Sequence, residues 1–347
     1  MAAALSFFLQ VVLLAFSLHL SLSTYDDAVD FNESLARFAF DHAAAAYAKN
    51  PRKCISKYHR SHLVRREMVP CDYVHDKCWY FISISNGVIV VAFRGTKTKI
   101  QLITEIVETM SQPKCNFEGG GAVQHYFNTA LNAIWPTILA VLQKLTKVYP
   151  LYDILFTGHS LGGALASLAS ARFEYARQNT SHASTTSTSR VILVTFGQPR
   201  VGNRQFAFLH DQIVPNSFRV VHRYDLVPHL PSCAPRIWSD TCTSFFNHGP
   251  YHHGTEIWYP NDMSDYAWYR VCKMPPTDED RTCSNKHFLR FRVNDHLFYF
   301  NEHVSKYGIS GCMPSKVRSP NSTSNDIYEL EGEEDVQENR IKDSHFV

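Results

Sequence analysis

Apolar residues along this chain follow two periods. Short, almost wholly apolar runs at 78–85, 88–93, 151–157, 191–196 and 218–222 read as buried strands. Asn86-Gly87 joins the first two in a tight hairpin. Val88 to Phe93 is apolar on both faces, which predicts a central strand in a covered sheet. Between the runs the spacing turns helical. A capping box at Asp30-Phe31-Asn32-Glu33 opens a helix with Leu35, Phe38, Ala39 and His42 on one face, running to Ala48, and Pro51 stops it. His42 on that face is expected to pack. A longer helix over 122–148 carries Val123, Phe127, Leu131, Ile134, Ile138, Leu142 and Leu145, with Pro136 expected to kink or divide it. Further helices are predicted over 161–177, after Asn203 to Asp211, and over 293–300 as the last element. The stretch 255–259 reads as an edge strand. Strands alternating with helices predict an α/β domain, with a mostly parallel central sheet and helices on both faces.

One junction in this pattern is unusually sharp. Ile154-Leu155-Phe156-Thr157 runs directly into Gly158-His159-Ser160-Leu161-Gly162-Gly163 and then into a helix. A strand, a tight turn and a helix in so few residues crowd the backbone, and Gly158 and Gly162 keep Cβ atoms out of it. The turn presents Ser160 Oγ to solvent at a helix start. The Leu161 N–H points the same way and can hold an oxyanion. This is the setting of a nucleophilic serine.

Composition narrows the class. The formal charge is +2 with no basic stripe, which argues against nucleic acid as a partner. Residues 1–23 read as a secretory signal, with an apolar core from Leu5 to Leu20 and small Ser21 and Ser23 before Thr24. The nine cysteines fit an oxidising compartment. No C-x-x-C pair occurs, so disulfides are expected rather than zinc. Asn32, Asn179 and Asn321 head glycan acceptor motifs. Residues 314–347 are Ser-, Asn- and acid-rich, an expected disordered acidic tail, leaving 24–313 as the folded domain. Residues 97–112 place Ile100, Ile103, Ile106, Val107 and Met110 on one helical face, between a strand end and the expected hinge Gly119-Gly120-Gly121. That position predicts an amphipathic lid.

A serine nucleophile needs a base, and the base needs an acid to orient it. In such sheets the three come from successive strand ends in the order Ser, Asp/Glu, His. Asp225 follows the strand at 218–222 and precedes Leu226-Val227-Pro228. Spacing does not choose the histidine among His229, His248, His252, His253, His287, His296 and His303. His252-His253 with Glu256 lacks H-E-x-x-H spacing, so no metal site is assigned, and His159 is expected to be structural.

The segments Phe93-Arg94-Gly95-Thr96, Gly158 to Gly163, Phe196-Gly197-Gln198-Pro199-Arg200-Val201-Gly202-Asn203, Asp225-Leu226-Val227-Pro228, Tyr251 to Tyr259 and Asp295-His296-Leu297-Phe298-Tyr299-Phe300 together resemble the class 3 lipases, secreted enzymes of the α/β-hydrolase fold. They stand in the family's order. The resemblance implies His296 as base, Ser160 as nucleophile and Asp225 as acid. It implies Thr96 as second oxyanion donor beside Leu161, and a lid after Thr96. It also implies disulfides Cys54–Cys312 and Cys272–Cys283. Cys71 with Cys78 is a further expected pair, and Cys233 with Cys242 another, leaving Cys115 unpaired. The lid lacks the tryptophan common in fungal members, and the tail and the Cys233 to Cys242 loop have no fungal counterpart. The expected function is a secreted serine lipase acting on lipid at an oil–water or membrane interface, with no cofactor and no obligate protein partner. The alternatives are a phospholipase or other carboxylesterase of the same fold, and a catalytically silent lipid-binding protein.

Overall fold

The computed structural model describes residues 29–71, 77–96, 113–179, 189–232, 249–272, 279–280, 282–287 and 290–315. Contacts divide the chain into Met1–Met313 and Pro314–Val347. Every helix and strand among the described residues lies in the first unit.

Among the described residues, eight strands form one sheet in the order β1-β2-β3-β6-β7-β9-β11-β12. They are β1 (His62–Pro70), β2 (Lys77–Ser85), β3 (Val88–Phe93), β6 (Asp153–His159), β7 (Val191–Phe196), β9 (Asn216–His222), β11 (Thr255–Tyr259) and β12 (Arg270–Val271). The middle five, β3 to β11, run parallel. The outer strands join antiparallel. A small second sheet comprises β4 (Cys115–Asn116), β5 (Ala122–Val123), β8 (Gly202–Asn203) and β10 (Pro250–Tyr251).

The strands of the parallel core are apolar because both faces are covered. The alternate residues Val90, Leu155, Ile192 and Val194 pack with Ala36, Ala39, Phe40 and Ala43 of α1 (Glu33–Ala45), which α2 (Arg52–His59) follows. On the other face, Ile89, Val91, Ile154, Phe156 and Leu193 meet a core that includes Leu131, Ile138, Leu165 and Leu168. These come from α3 (His125–Val148) and α4 (Leu161–Asn179). Every α4 residue from Leu161 to Glu174 is buried, so that span shows no polar stripe. Asn203 caps α5 (Arg204–Ile213), its Oδ1 accepting from Phe206 N–H at 3.0 Å.

Several expectations are corrected. Asn32, not Asp30, caps α1, its Oδ1 accepting from Leu35 N–H at 2.9 Å, and the helix ends at Ala45. Val123 belongs to β5, opposite Gly202, so the long helix starts at His125. Pro136 does not divide it. Pro136 and Asn132, whose carbonyl it frees, are both exposed, so water can reach that carbonyl while Ile134 and Ile138 stay packed. Apart from these corrections, the glycine run forms a turn. Phe117 N–H donates to Gly121 O and Gly120 N–H to Phe117 O, and a Cβ on Gly121 would overlap Phe206. β11 is not the edge, because β12 covers its outer side. After α6 (Val293–Leu297) come a hairpin, β13 (Phe298–Tyr299) and β14 (Glu302–His303), and α7 (Val304–Ile309). The sequence reading missed β1, whose Arg65, Arg66 and Glu67 hide its strand pattern on an exposed edge.

Disulfides join Cys54 to Cys312, Cys71 to Cys78 and Cys272 to Cys283. Cys115 is a free, half-buried thiol. Cys233, Cys242, Asn321 and residues 1–23 lie outside the described residues. Asn32 and Asn179 are exposed, the former at its cap and the latter donating from Nδ2 to Tyr175 O at 2.8 Å. His42 is packed. It donates to Phe38 O, and burial lowers its pKa to about 4.

Candidate active site

The carboxyl ends of the parallel strands deliver the site. β6 ends at His159, and α4 begins at Leu161. Between them Ser160 takes φ +59°, in the left-handed region that a side chain adopts only at a cost. A bond to β7 and one in the first turn of α4 hold it there. Ser160 N–H donates to Phe196 O at 2.9 Å, and Gly163 N–H donates to Ser160 O at 2.9 Å. A Cβ on Gly158 would overlap the Gly162 carbonyl, and one on Gly162 would overlap the Phe93 carbonyl. The two glycines thus let the helix leave against its own strand and against β3. Ser160 is buried rather than open to solvent. The end of β7 bonds to it, and Gly95 just beyond β3 lies close against its Cβ.

Asp225 follows β9 and is fully buried. Its Oδ1 accepts from Val227 N–H at 2.9 Å. Its Oδ2 accepts from His296 Nδ1–H at 2.9 Å and from Tyr299 OH at 2.7 Å. Burial opposes its charge, but His296 and these donors prevail, and its carboxyl sits below the usual range. The Asp–His contact fixes the His296 tautomer, leaving Nε2 as the free acceptor. Ser160 Oγ and His296 Nε2 are buried and have no hydrogen-bond partner among the described residues.

Gly197, at the end of β7, has φ +59°, and a Cβ there would lie 2.7 Å from His296 Nδ1 and 2.8 Å from Asp225 Oδ2. Sequence reading assigned no role to Gly197 or Tyr299. The glycine in Phe196-Gly197-Gln198-Pro199 at a strand end was the available signal. Leu161 opens α4, so its N–H has no acceptor within the helix. Thr96 lies just beyond β3, half-buried. Residues 97–112, with Ile100, Ile103, Ile106, Val107 and Met110, lie outside the described residues.

The rival histidines are placed elsewhere. His229 donates to Asn285 Oδ1 and stacks on Phe291. His252 donates to Pro228 O at 2.6 Å. His253 shares a hydrogen bond with Ser167 Oγ at 2.7 Å. His303 packs its ring against Phe298. His248 lies outside the described residues, as does the side chain of His287.

Two groups of possible metal ligands cluster among the described residues. Glu256 meets Cys272 and Cys283, whose sulfurs form a disulfide and offer no thiolate. His210, Asp211 and His253 also meet, but the two imidazoles stack face to face with centroids 3.6 Å apart. Rings so stacked cannot both aim in-plane lone pairs at one ion. A polar cavity of about 830 Å³ is lined by Lys114, Asn116, Glu118, Asn203 and Gln205, and none of Ser160, Asp225 or His296 borders it.

A strained serine between a parallel strand and a helix, with a buried Asp–His pair formed by the loop after β9 and a short helix, defines a carboxylic ester hydrolase of the α/β-hydrolase fold. A family model described as Lipase (class 3) matches residues 90–234. A lipase of Caenorhabditis elegans is 37% identical over 326 residues, covering 87% of this chain and 88% of that protein. A Fusarium solani protein named as a secreted mono- and diacylglycerol lipase is 32% identical over 159 residues, 44% of each chain. The chain also spans about half the length, 48%, of the Rhizopus niveus lipase it matches. Among solved structures, a lipase from Rhizopus microsporus var. chinensis superposes with a TM-score of 0.61 at 27% identity, over 80% of this chain and 91% of that one. This chain belongs to the class 3 lipase family.

Proposed function

We propose that this protein is a secreted acylglycerol hydrolase working through a serine acyl-enzyme. Ser160 Oγ attacks the ester carbonyl while His296 Nε2 takes its proton. Asp225 orients the imidazole and balances the charge it gains. The Leu161 N–H and Thr96 hold the developing oxyanion. His296 then hands its proton to the departing alcohol. Water, activated by the same imidazole, splits the acyl-enzyme and frees a fatty acid.

The observation that carries this reading is the buried His296 Nδ1–Asp225 Oδ2 hydrogen bond of 2.9 Å with Ser160 Oγ and His296 Nε2 both left unpaired. The apolar leader at 1–23, the three disulfides among the described residues and the acceptor motifs at Asn32, Asn179 and Asn321 support an extracellular protein with 24–313 as its catalytic domain and 314–347 as a tail. The name of the Fusarium relative supports acylglycerols as substrate class. The substrate is met as a lipid surface, and no cofactor is needed.

A fluorophosphonate probe tests the chemistry. It should label wild type at Ser160 and leave Ser160→Ala unlabelled, with kcat falling on the order of 10⁴–10⁶-fold. Near-normal turnover in that variant would sink the mechanism. Emulsified acylglycerol, phospholipid vesicles and soluble short-chain esters then test the substrate. Faster turnover of phospholipid than of acylglycerol would overturn that part.

A further inference from the structure

The residue before the nucleophile is a histidine, and the mechanism above gives it no task. His159 is buried, and its hydrogen bonds form a chain. Its Nε2 lies 2.8 Å from the His296 carbonyl. Its Nδ1 lies 2.8 Å from the Tyr47 hydroxyl. Its ring lies against the His296 ring with centroids 4.4 Å apart and planes at 30°. We infer that His159 and Tyr47 are positioning residues that hold the backbone and ring of His296, and so the direction of its Nε2, for the proton transfer.

The proton logic leaves one arrangement. A carbonyl only accepts, so His159 Nε2 carries the hydrogen. A neutral imidazole then offers a lone pair at Nδ1 alone, and Tyr47 OH donates to it. Burial, then the nearby charge of His296, lowers the His159 pKa to about 3, so the ring stays neutral at working pH. Neutrality suits the task. A cation stacked on His296 would oppose the imidazolium that forms there when Ser160 loses its proton. The other titratable groups around the pair are Asp225 after β9, Tyr299 in β13 and His303 in β14.

The surroundings keep Tyr47 in place. It lies just beyond α1, which packs across β6, and it is buried. A Cβ on Gly95 would overlap both the Tyr47 hydroxyl and the His159 carbonyl. The strand end that supplies Thr96 thus leaves room for the tyrosine. This chain of hydrogen bonds ties the first helix to the segment bearing His296, which lies 137 residues beyond His159.

The inference rests on the proposed roles of Ser160 and His296, so the test separates the two. Kinetics on a soluble short-chain ester are normalised to sites labelled by fluorophosphonate, for wild type, Tyr47→Phe, His159→Phe, His159→Gln and Ser160→Ala. His159→Phe should lower kcat about 10–100-fold with KM within about twofold. His159→Gln, whose amide supplies a donor and an acceptor, should recover most of that loss. Tyr47→Phe should lower kcat roughly 3–10-fold. In both Phe variants the acid limb of the kcat/KM profile should move to lower pH, because a slackened His296 makes a poorer bond to Asp225 and its protonated form loses support. A general loss of stability would reduce labelled sites without moving that limb. Wild-type kcat per labelled site and an unmoved acid limb in Tyr47→Phe overturn the inference. That variant is near-isosteric and carries the test if His159→Phe does not fold. Turnover surviving in Ser160→Ala would instead overturn the serine mechanism, and this inference with it.

Discussion

The segment that carries Ser160 and the segment that carries His296 reach the same site by different physics. β6 and α4 are contiguous and almost wholly buried. β6 is hydrogen-bonded on both sides, to β3 and β7. Apolar burial and backbone ladders hold them. Between Asp225 and Cys312 the elements are short, and although Ile257, Tyr259, Tyr299, Phe300 and Val304 join the apolar core, polar devices hold the connections between them. His222 donates to the Asp295 carbonyl at 2.9 Å, and Arg292 N–H donates to Tyr224 O at 2.7 Å. Disulfides tie Cys272 to Cys283 and Cys312 back to Cys54. Fully buried Arg200 pairs through two contacts with Glu279, and also donates to the carbonyls of His229 and Pro231. The loop after Asp225 is thereby held by a charge pair as well as by the packing of Val227 with Leu230. Ser160 is fixed mainly by local crowding and one bond to β7, whereas His296 is fixed by long-range hydrogen bonds.

The sharpest way to break the comparison is to remove the acid. Asp225→Asn should leave the elbow intact but cost kcat about 10⁴-fold, since the amide favours the wrong His296 tautomer. Activity within tenfold of wild type would show that the His296 segment does not depend on its polar anchor.

Next comes the charge pair. Arg200→Ala strands a buried carboxylate at Glu279 and should destabilise the fold by about 3–5 kcal/mol, while Arg200→Met with Glu279→Leu should recover most of that. Urea midpoints of the three proteins decide it. The same pair sets an acid limit. Burial opposes the Glu279 charge, but Arg200 outweighs it and holds its folded pKa well below the ordinary value. A depressed carboxylate pKa contributes stability that is present above the unfolded value and lost as pH falls from about 4 downward through the folded value. Stability should therefore begin to drop below about pH 5 in wild type and keep falling below about pH 3, and less steeply in the double variant.

Tyr299→Phe removes one donor to Asp225 and should lose about 1.5–3 kcal/mol of transition-state support, roughly 10–100-fold in kcat. An unchanged kcat would mean that Val227 N–H and His296 suffice. The smallest effect concerns the end of α1 opposite Tyr47. Asn32→Ala deletes the α1 cap and should lower stability by about 1 kcal/mol without altering kcat, read as a shift in thermal midpoint alone.

Much of this contrast was legible in the chain. The runs at 88–93, 151–157 and 191–196 gave the central strands, because covered strands must be apolar on both faces. Gly158, Ser160 and Gly162 gave the elbow, because their steric reason is local. Asp225 followed from strand order. Short elements with mixed polarity were less legible. β1 was hidden by its charges, β12 by its brevity, and the cap moved from Asp30 to Asn32 because both residues can cap. His296 could be separated from its rivals only by resemblance to a family, since nothing within a few residues distinguishes it.

The sequence by itself determined the alternation of strand and helix, the strained turn and the serine upon it. Hydrophobic period and glycine placement act over a few residues, and those can be read along a line. Only the tertiary structure decided that Asp225 bonds to His296 across 71 residues, that Gly197 makes room for both, and that His159 and Tyr47 meet behind them. Such contacts depend on where the sheet brings distant strand ends together, and a hydrogen bond depends on distance and direction in space, which linear order does not carry.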